Sequence, residues 1–135
     1  DNVFLREGIS LQTYFPEKLV LNANKQFFRD ILQNLIDNSV KAMTTSEQKV
    51  IRCSYEIQNE MLEIFVSDTG IGIPPENREQ VFALYYTTTE LQGGAGVGLY
   101  IVKTRVQSLG GSVAVIDSEF GEIGTTVKIT IPFKK

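Results

Sequence analysis

The sequence predicts a two-layer α/β sandwich, in which a mixed sheet of about five strands is covered on one face by three helices. Two patterns carry this prediction. Apolar and polar residues alternate from Leu62 to Ser67, which is typical of a strand with one buried side. Between residues 24 and 44, apolar residues recur at every third or fourth position, which is typical of an amphipathic helix. The 135 residues suffice for one domain that buries roughly two-thirds of its unfolded surface.

Turn residues divide the rest of the chain into short elements. Residues 9–15 alternate weakly and are predicted to form a strand at a sheet edge, because Pro16 follows. Residues 49–57 are predicted to pair antiparallel with residues 61–67 through a short hairpin connection. The other predicted elements are a very short strand at 19–21, a short helix from Pro75 that carries Val81, Phe82 and Leu84, a long helix from Val97 that Gly110 and Gly111 end, a strand at 112–116, and a strand at 125–132 with Val127, Ile129 and Ile131 inward.

The first long helix carries a row of polar residues beside its apolar stripe. At about 100° per residue, Asn34, Asn38 and Lys41 stack on one shoulder of that stripe. Asparagine is a mediocre helix former because its amide competes with the backbone. The row therefore has two interpretations: the amides bond to neighbouring loops, or they face a polar ligand, with an asparagine carbonyl able to coordinate a hard cation such as Mg²⁺. The stripe itself comprises Phe28, Ile31, Leu32, Leu35, Ile36, Ser39, Ala42 and Met43.

The stretch from Asp68 to Pro74 is the centre of the sequence. The preceding strand places the carboxylate of Asp68 at its C-terminal end, and the chain then turns through Gly70 and Gly72. Glycine allows a backbone of positive φ and a close approach to a flat ligand. A carboxylate beside such a backbone can accept a hydrogen bond from an exocyclic amine, such as that of adenine. The alternative is a strand-ending Asx turn in which the glycines serve geometry alone.

A glycine-rich segment precedes the second long helix. Residues 87–98 contain three threonines followed by four glycines and form the longest predicted loop. A loop of this kind at a helix N-terminus presents free N–H groups to an anion such as phosphate. The pattern lacks the preceding strand of a dinucleotide-binding motif and has no Walker A lysine. The aromatic residues Phe82, Tyr85 and Tyr86 have two interpretations: packing against the core or the loop, which is favoured, or contact with a ligand.

Composition excludes several classes of function. The net charge of −3 and the pI near 5.0 argue against a nucleic-acid-binding surface. No apolar run approaches the roughly 20 residues that span a bilayer. Cys53 is the only cysteine, so no internal disulfide can form, and a reducing, cytoplasmic setting is expected. The chain contains no histidine, which excludes histidine metal ligands, histidine bases and a phosphoacceptor histidine within it.

In this order, the pieces resemble the ATP-binding catalytic domain of bacterial sensor histidine kinases, in the GHKL superfamily with the Bergerat fold. The resemblance extends from about residue 8 to residue 133 and rests on several motifs. The segment 34–39 looks like the N box, Asp68 to Pro74 is identical to a common form of the first glycine box, Phe82 with Tyr85 and Tyr86 resembles the F box, residues 94–99 resemble the second glycine box, and Gly124-Thr125-Thr126 matches a small element on the last strand.

This resemblance implies a role for each matched residue. Asp68 would hold the adenine amine, with Gly72 beneath the ring and Thr126 assisting through a water. Asn38 would bind Mg²⁺, Asn34 would support the metal or the phosphates, and Lys41 would reach a phosphate. Residues 87–96 would form a mobile ATP lid. The implied ATP-binding residues are Asn34, Asn38, Lys41, Asp68, Gly70, Gly72, Ile73, Tyr86, Gly94, Gly96, Val97, Gly98, Leu99 and Thr126, of which Asn34, Asn38 and Lys41 are catalytic.

The resemblance also implies partners. The chain would bind ATP or ADP with Mg²⁺ and donate the γ-phosphoryl group to a histidine on a separate helical dimerisation domain, which passes it on to a response regulator. Residues 1–8 would then be a linker from that domain, and residues 9–135 a monomeric catalytic domain, inactive as a kinase alone and without membrane contact. The parent protein is either free or anchored in the inner membrane. A stand-alone serine kinase of the anti-sigma-factor type and a degenerate docking module are the alternatives.

Three features depart from the family pattern. Thr89 stands where related kinases carry a lysine in the lid, so one phosphate contact is missing. Leu109 replaces a frequent histidine before Gly-Gly, and Ala42-Met43 resembles the nitrogen-regulator type of kinase.

Overall fold

The computed structural model describes residues 8–13, 25–83 and 98–132. These form five strands, two α-helices and two short 3-10 turns. In chain order they are β1 (Ser10–Thr13), α1 (Lys25–Ala42), β2 (Val50–Gln58), β3 (Met61–Asp68), the 3-10 turns Pro75–Asn77 and Gln80–Phe82, α2 (Gly98–Ser108), β4 (Ser112–Ile116) and β5 (Thr125–Pro132).

One mixed sheet forms the first layer, in the strand order β1-β2-β3-β5-β4. β1 lies parallel to β2 at one edge, and every other neighbouring pair is antiparallel. The predicted mixed sheet is thereby confirmed, as is the edge position of β1. β2 and β3 are joined by a two-residue hairpin at Asn59 and Glu60, whose φ angles of 52° and 64° match the right-handed twist of the flanking strands.

The core lies between the sheet and the helices. The predicted alternation on β3 is confirmed, because Leu62, Ile64 and Val66 are buried on the face that the helices cover. Across the sheet, the inward residues of β5 pair with them in register. From α1, Ile31, Leu35, Ser39, Ala42 and Met43 are buried, and from α2, Val102 and Val106. Asp68, two residues beyond Val66 on the same strand, therefore lies on this same face.

Local signals fix the ends of the second helix. α2 stops at a Schellman motif, in which Gly111 N–H donates to the Val106 carbonyl at 3.0 Å and Gly110 N–H to that of Gln107 at 3.0 Å. Gly110 has a φ of +80°, a conformation that glycine adopts without steric cost. An ion pair between Arg105 Nε and Asp30 Oδ2, at 3.7 Å, joins α2 to α1. The two helices therefore form one layer.

The structure differs from the prediction at the third helix. Residues 75–82 form two separate 3-10 turns, whose hydrogen bonds run from Arg78 N–H to the Pro75 carbonyl and from Ala83 N–H to that of Gln80. Isolated helices this short are unstable because nucleation costs more than a few hydrogen bonds return. Val81 and Phe82 are nevertheless buried, so the segment covers the core as expected.

Several predictions concern residues outside the described ranges. These are the strand at 19–21, the linker at 1–7, the ATP lid, and the site residues Tyr86, Gly94, Gly96 and Val97. Across residues 8–13, 25–83 and 98–132, no helix combines the length and the apolarity that a membrane crossing requires.

Candidate functional site

Asp68 is a buried carboxylate at the C-terminal end of β3, and its residue is only 4% exposed. Oδ1 accepts a hydrogen bond from Gly70 N–H at 2.8 Å, as in an Asx turn. The carboxylate also accepts hydrogen bonds from the Thr125 backbone N–H and the Ser39 hydroxyl. Burial raises the pKa of Asp68 from 3.8 to about 6, against the opposing effect of these three donors. All three donors are neutral, so none of these contacts balances the charge of the carboxylate.

The end of α1 is joined to the loop that follows Asp68. Ile71 N–H donates to the Ala42 carbonyl at 3.0 Å, which satisfies a carbonyl that the helix end leaves free. Gly70 lies so close that a Cβ atom there would be 2.6 Å from the same carbonyl oxygen. The Thr69 hydroxyl donates to the Gln48 carbonyl at 2.6 Å. The helix and the carboxylate loop are therefore held as one unit.

Two glycines bring the backbone of neighbouring loops together beside Asp68. Gly72 and Gly124 have φ angles of +80° and +82°. Gly124 N–H donates to the Gly70 carbonyl at 3.0 Å, and a Cβ atom on Gly72 would lie 3.1 Å from the Gly124 carbonyl oxygen. Ile73 packs against the core beside this junction. The result is a close backbone junction, formed by glycines, next to a buried carboxylate.

The polar row of α1 extends from this junction toward the start of α2. Asn34 and Asn38 are half-buried and Lys41 is exposed, as the helical spacing predicted. Asn34 Nδ2 donates to the Asp30 carbonyl at 2.7 Å, which orients its carbonyl oxygen the other way. That oxygen faces Gly98, where a Cβ atom would lie 3.4 Å from it. The row thus connects the carboxylate loop with the N-terminus of α2, and Leu99 packs on the core beneath it.

The geometry corrects the assignment of Thr126. Thr125 pairs in register with Asp68, whereas Thr126 pairs with Ser67 on the opposite face of the sheet. The Thr126 hydroxyl is engaged there, 2.9 Å from that of Ser67. Thr126 therefore points away from Asp68, and Thr125 occupies the position that had been expected for it.

Sequence reasoning missed two members of the site. Ser39 was assigned to the apolar stripe, but its hydroxyl reaches Asp68; a polar residue at a buried helix position was the available signal. Thr125 was passed over for its neighbour, although the inward position of Val127 implies by alternation that Thr125 is inward too.

The polar row of α1 can be compared with the ligands that Mg²⁺ takes in nucleotide sites. Within the described ranges there is no cluster of three or more Cys, Asp or Glu side chains that could hold a metal ion. Mg²⁺ in nucleotide sites usually keeps one or two protein ligands and takes the rest from phosphates and water. The Asn38 and Asn34 side chains supply oxygen ligands of that kind, at the distance of one to two helical turns from the carboxylate loop.

Comparison with known proteins agrees with this geometry. Residues 23–135 match the family described as histidine kinase-, DNA gyrase B-, and HSP90-like ATPase. The chain belongs to this family. Among its relatives, the signal transduction histidine-protein kinase ArlS of Staphylococcus haemolyticus is 34% identical over 130 residues, which cover 93% of this chain and 28% of ArlS. The aerobic respiration control sensor protein ArcB of Escherichia coli is 35% identical over 132 residues, which cover 94% of this chain and 16% of ArcB.

Solved structures of the family share the fold. Full-length ShkA in complex with AMPPNP superimposes with a TM-score of 0.82 at 26% identity, covering 99% of this chain and 27% of ShkA. The nucleotide-free catalytic domain of the histidine kinase ThkA gives a TM-score of 0.79 at 25% identity, covering 97% of this chain and 84% of that domain. The chain is therefore an ATPase-family catalytic domain of the type found in sensor histidine kinases, and it spans about a quarter or less of the full-length relatives it matches.

Proposed function

We propose that this chain binds Mg-ATP and donates the γ-phosphoryl group to a histidine on a separate helical domain of a two-component sensor kinase. One observation carries the proposal. The buried carboxylate of Asp68 lies at a strand end beside the side-chain-free backbone of Gly72 and Gly124, and α1 holds a polar row leading away from it. This is a site for a flat base with a hydrogen-bond donor at one end and an anionic tail at the other.

At the base end, Asp68 accepts a hydrogen bond from the adenine amine, and Thr125 and Ser39 hold the carboxylate in place. The ring lies beside the backbone of Gly72, whose contact with Gly124 leaves no room for a side chain. A buried charged acceptor for a single amine gives discrimination, because a base without that amine buries the carboxylate without adding a donor to the three that the protein supplies. The base end therefore supplies specificity.

At the phosphate end, Asn38 is the residue that would hold Mg²⁺, Asn34 would support the metal or the phosphates, and Lys41 would reach a phosphate. When bound, the ion neutralises charge that develops on the phosphoryl oxygens. The N-terminus of α2 at Gly98 lies beside Asn34 and adds backbone N–H donors for an anion. The chain itself contributes positioning and charge neutralisation, and no covalent step falls to its residues.

The acceptor histidine lies outside this sequence, since the 135 residues contain none. Phosphotransfer is therefore tested by mixing the chain with ATP and a separate histidine-bearing helical domain of a related sensor kinase. An acid-labile, base-stable phosphorylated product is expected on the helical domain. An acid-stable product on a serine of another protein would instead favour the anti-sigma-factor type of kinase.

Nucleotide binding is tested first, by thermal unfolding of the chain with Mg²⁺ alone and with Mg-ADP. At about 100 times its dissociation constant, a ligand stabilises the folded state by ~2.7 kcal/mol. For a domain of this size, the midpoint is expected to rise by roughly 5–15 °C. Mg²⁺ alone is the control and is expected to leave the midpoint unchanged. No shift with Mg-ADP would refute nucleotide binding and favour the docking-module alternative.

The substitution Asn38→Ala tests the metal assignment. Losing one oxygen ligand is expected to leave ADP binding without Mg²⁺ unchanged and to reduce the gain in affinity on adding Mg²⁺ by about tenfold. The matched control is Gln33→Ala, which removes an exposed amide from the solvent side of the same helix. Isothermal titration of each variant with ADP, with and without Mg²⁺, gives the comparison. An unchanged response to Mg²⁺ in Asn38→Ala would exclude this residue as the ligand.

A further inference from the structure

A polar network lies on the face of the sheet opposite the nucleotide site. The Ser67 hydroxyl donates to the Glu119 carboxylate, and it lies 2.9 Å from the Thr126 hydroxyl. The Glu119 backbone N–H donates to that same Thr126 oxygen at 3.0 Å. Ser67 and Thr126 are 0% and 2% exposed. Glu119 thus binds the end of β3 through its side chain and the start of β5 through its backbone.

Arg52 on β2 holds Glu119 in this position. Its Nη1 lies 2.7 Å from Glu119 Oε2, and its Nε donates to Gln12 Oε1 at 2.9 Å. The guanidinium also lies over the ring of Phe120, 4.8 Å from its centroid. The turn that carries Glu119 and Phe120 is therefore bound directly to β2, β3 and β5, and Arg52 in turn binds β1.

The network is one residue away from the adenine site on both strands. Ser67 precedes Asp68, and Thr126 follows Thr125, whose N–H donates to the Asp68 carboxylate. Successive residues of a strand point to opposite faces, so a shift or twist of Ser67 or Thr126 turns its neighbour on the other face. The same turn ends at Gly124, whose N–H binds the Gly70 carbonyl.

We propose that Glu119 is a positioning residue for adenine recognition: from the back of the sheet, it fixes Ser67 and Thr126 and thereby sets the alignment of the Asp68 carboxylate and the Thr125 amide on the front. The inference rests on the proposed function, since it concerns the same base. It predicts that Glu119 controls discrimination between purines at position 6, and not merely the stability of the domain.

Inosine diphosphate is the probe that separates these two roles. It differs from ADP by a carbonyl oxygen in place of the 6-amine and by a proton on N1, so position 6 of its base presents an acceptor to Asp68 instead of a donor. The ratio of the dissociation constants for inosine diphosphate and ADP measures the benefit of presenting the 6-amine to Asp68. A substitution at a purely structural residue changes the unfolding midpoint and leaves unaltered the ratio of dissociation constants that the folded protein shows.

Three substitutions address the network, and one serves as the control. Glu119→Ala removes the carboxylate, Glu119→Gln retains an oxygen acceptor for Ser67, and Thr126→Val removes the hydroxyl while keeping the shape of the side chain. Glu122→Gln makes the same change of charge as Glu119→Gln, at an exposed position of the same turn. Isothermal titration of each with both nucleotides, well below the unfolding midpoint, gives the ratios.

In Glu119→Ala and Thr126→Val, the ratio is expected to fall about five- to tenfold, mainly through weaker ADP binding, as the loss of one aligned hydrogen bond implies. Glu119→Gln is expected to be intermediate and Glu122→Gln unchanged. A lowered midpoint with an unaltered ratio in Thr126→Val and in whichever Glu119 variants fold would overturn the inference. A wild-type chain that binds both nucleotides equally would instead refute the adenine assignment itself.

Discussion

The substitution Asp68→Asn is expected to weaken ADP binding by ~10–100-fold while making the nucleotide-free domain more stable at neutral pH. The binding loss follows from replacing a charged acceptor with a neutral amide, half of which presents hydrogens to the adenine amine. The shape of the side chain is retained, so the loss reports the contact and not a cavity. The two effects have opposite signs because the ionised carboxylate strengthens ADP binding and lowers the stability of the nucleotide-free domain.

The gain in stability follows from the burial of Asp68. Its pKa is raised from 3.8 to about 6, chiefly by burial. Keeping the carboxyl ionised in the folded state at neutral pH therefore costs about 3 kcal/mol. The amide removes that cost, but it loses one of the hydrogen bonds that the carboxylate accepts, worth about 1 kcal/mol. A net gain of roughly 1–3 kcal/mol in the free energy of unfolding is expected.

The pH dependence tests the origin of this gain. Between about pH 6 and 3.8, the folded carboxyl of Asp68 binds a proton that the unfolded one does not. The wild type therefore recovers stability as the pH falls through this window, and its deficit relative to Asp68→Asn shrinks. The full deficit is present above about pH 6, and little remains near pH 4. Other carboxylates titrate in both proteins and cancel in the difference.

Urea unfolding of both proteins at several pH values between about 4 and 7.5 measures this difference. Asp37→Asn, an exposed carboxylate on α1, is the control and is expected to show a small difference that does not follow this window. A variant that is less stable than the wild type at neutral pH, or a difference that does not change with pH, would contradict the burial argument. In the wild type, ADP affinity is expected to fall below about pH 6, since the protonated Asp68 is a poorer acceptor.

Much of the site could be predicted because its members belong to periodic elements. The period of two on β3 placed Asp68 on the core face at a strand end, and the helical period placed Asn34, Asn38 and Lys41 on one shoulder of α1. These residues lie where the patterns placed them. The error at Thr126 arose because the residue was assigned by matching the family motif, whereas the alternation of side chains along β5 indicated Thr125. Local periodicity was the better guide there.

The remaining features depend on contacts between distant parts of the chain. Arg52, Ser67 and Glu119 carry no pattern that relates them, yet they meet because β2 and β3 are neighbours and the 117–124 turn folds over their ends. The two 3-10 turns in place of a helix likewise reflect the shape of the core surface that Val81 and Phe82 cover. Tertiary packing decides such segments, and sequence periodicity does not report it.

The largest effect on the fold is expected for Gly124→Ala, a change of one methyl group. Gly124 has a φ of +82°, where an alanine costs about 1 kcal/mol or more relative to glycine. A Cβ atom there would also overlap the backbone carbonyl oxygen of Asp68. The backbone has little freedom to retreat, because Gly124 N–H is bound to the Gly70 carbonyl at 3.0 Å. Together these effects are expected to cost more than about 3 kcal/mol.

Gly121→Ala separates strain from overlap, because Gly121 lies in the same turn with a φ of +85° and with no atom within 4 Å of an added Cβ. This control is expected to cost only about 1 kcal/mol. Denaturant unfolding gives both values, and equal losses would show that conformation alone matters at Gly124. The loss expected at Gly124 is a large part of the roughly 5–15 kcal/mol by which domains are stable. The Gly124 variant is expected to lose ADP affinity as well, because relieving the overlap must displace Asp68 or the Gly70 loop. The backbone contact beside the proposed adenine site is thus also a contact on which the fold depends.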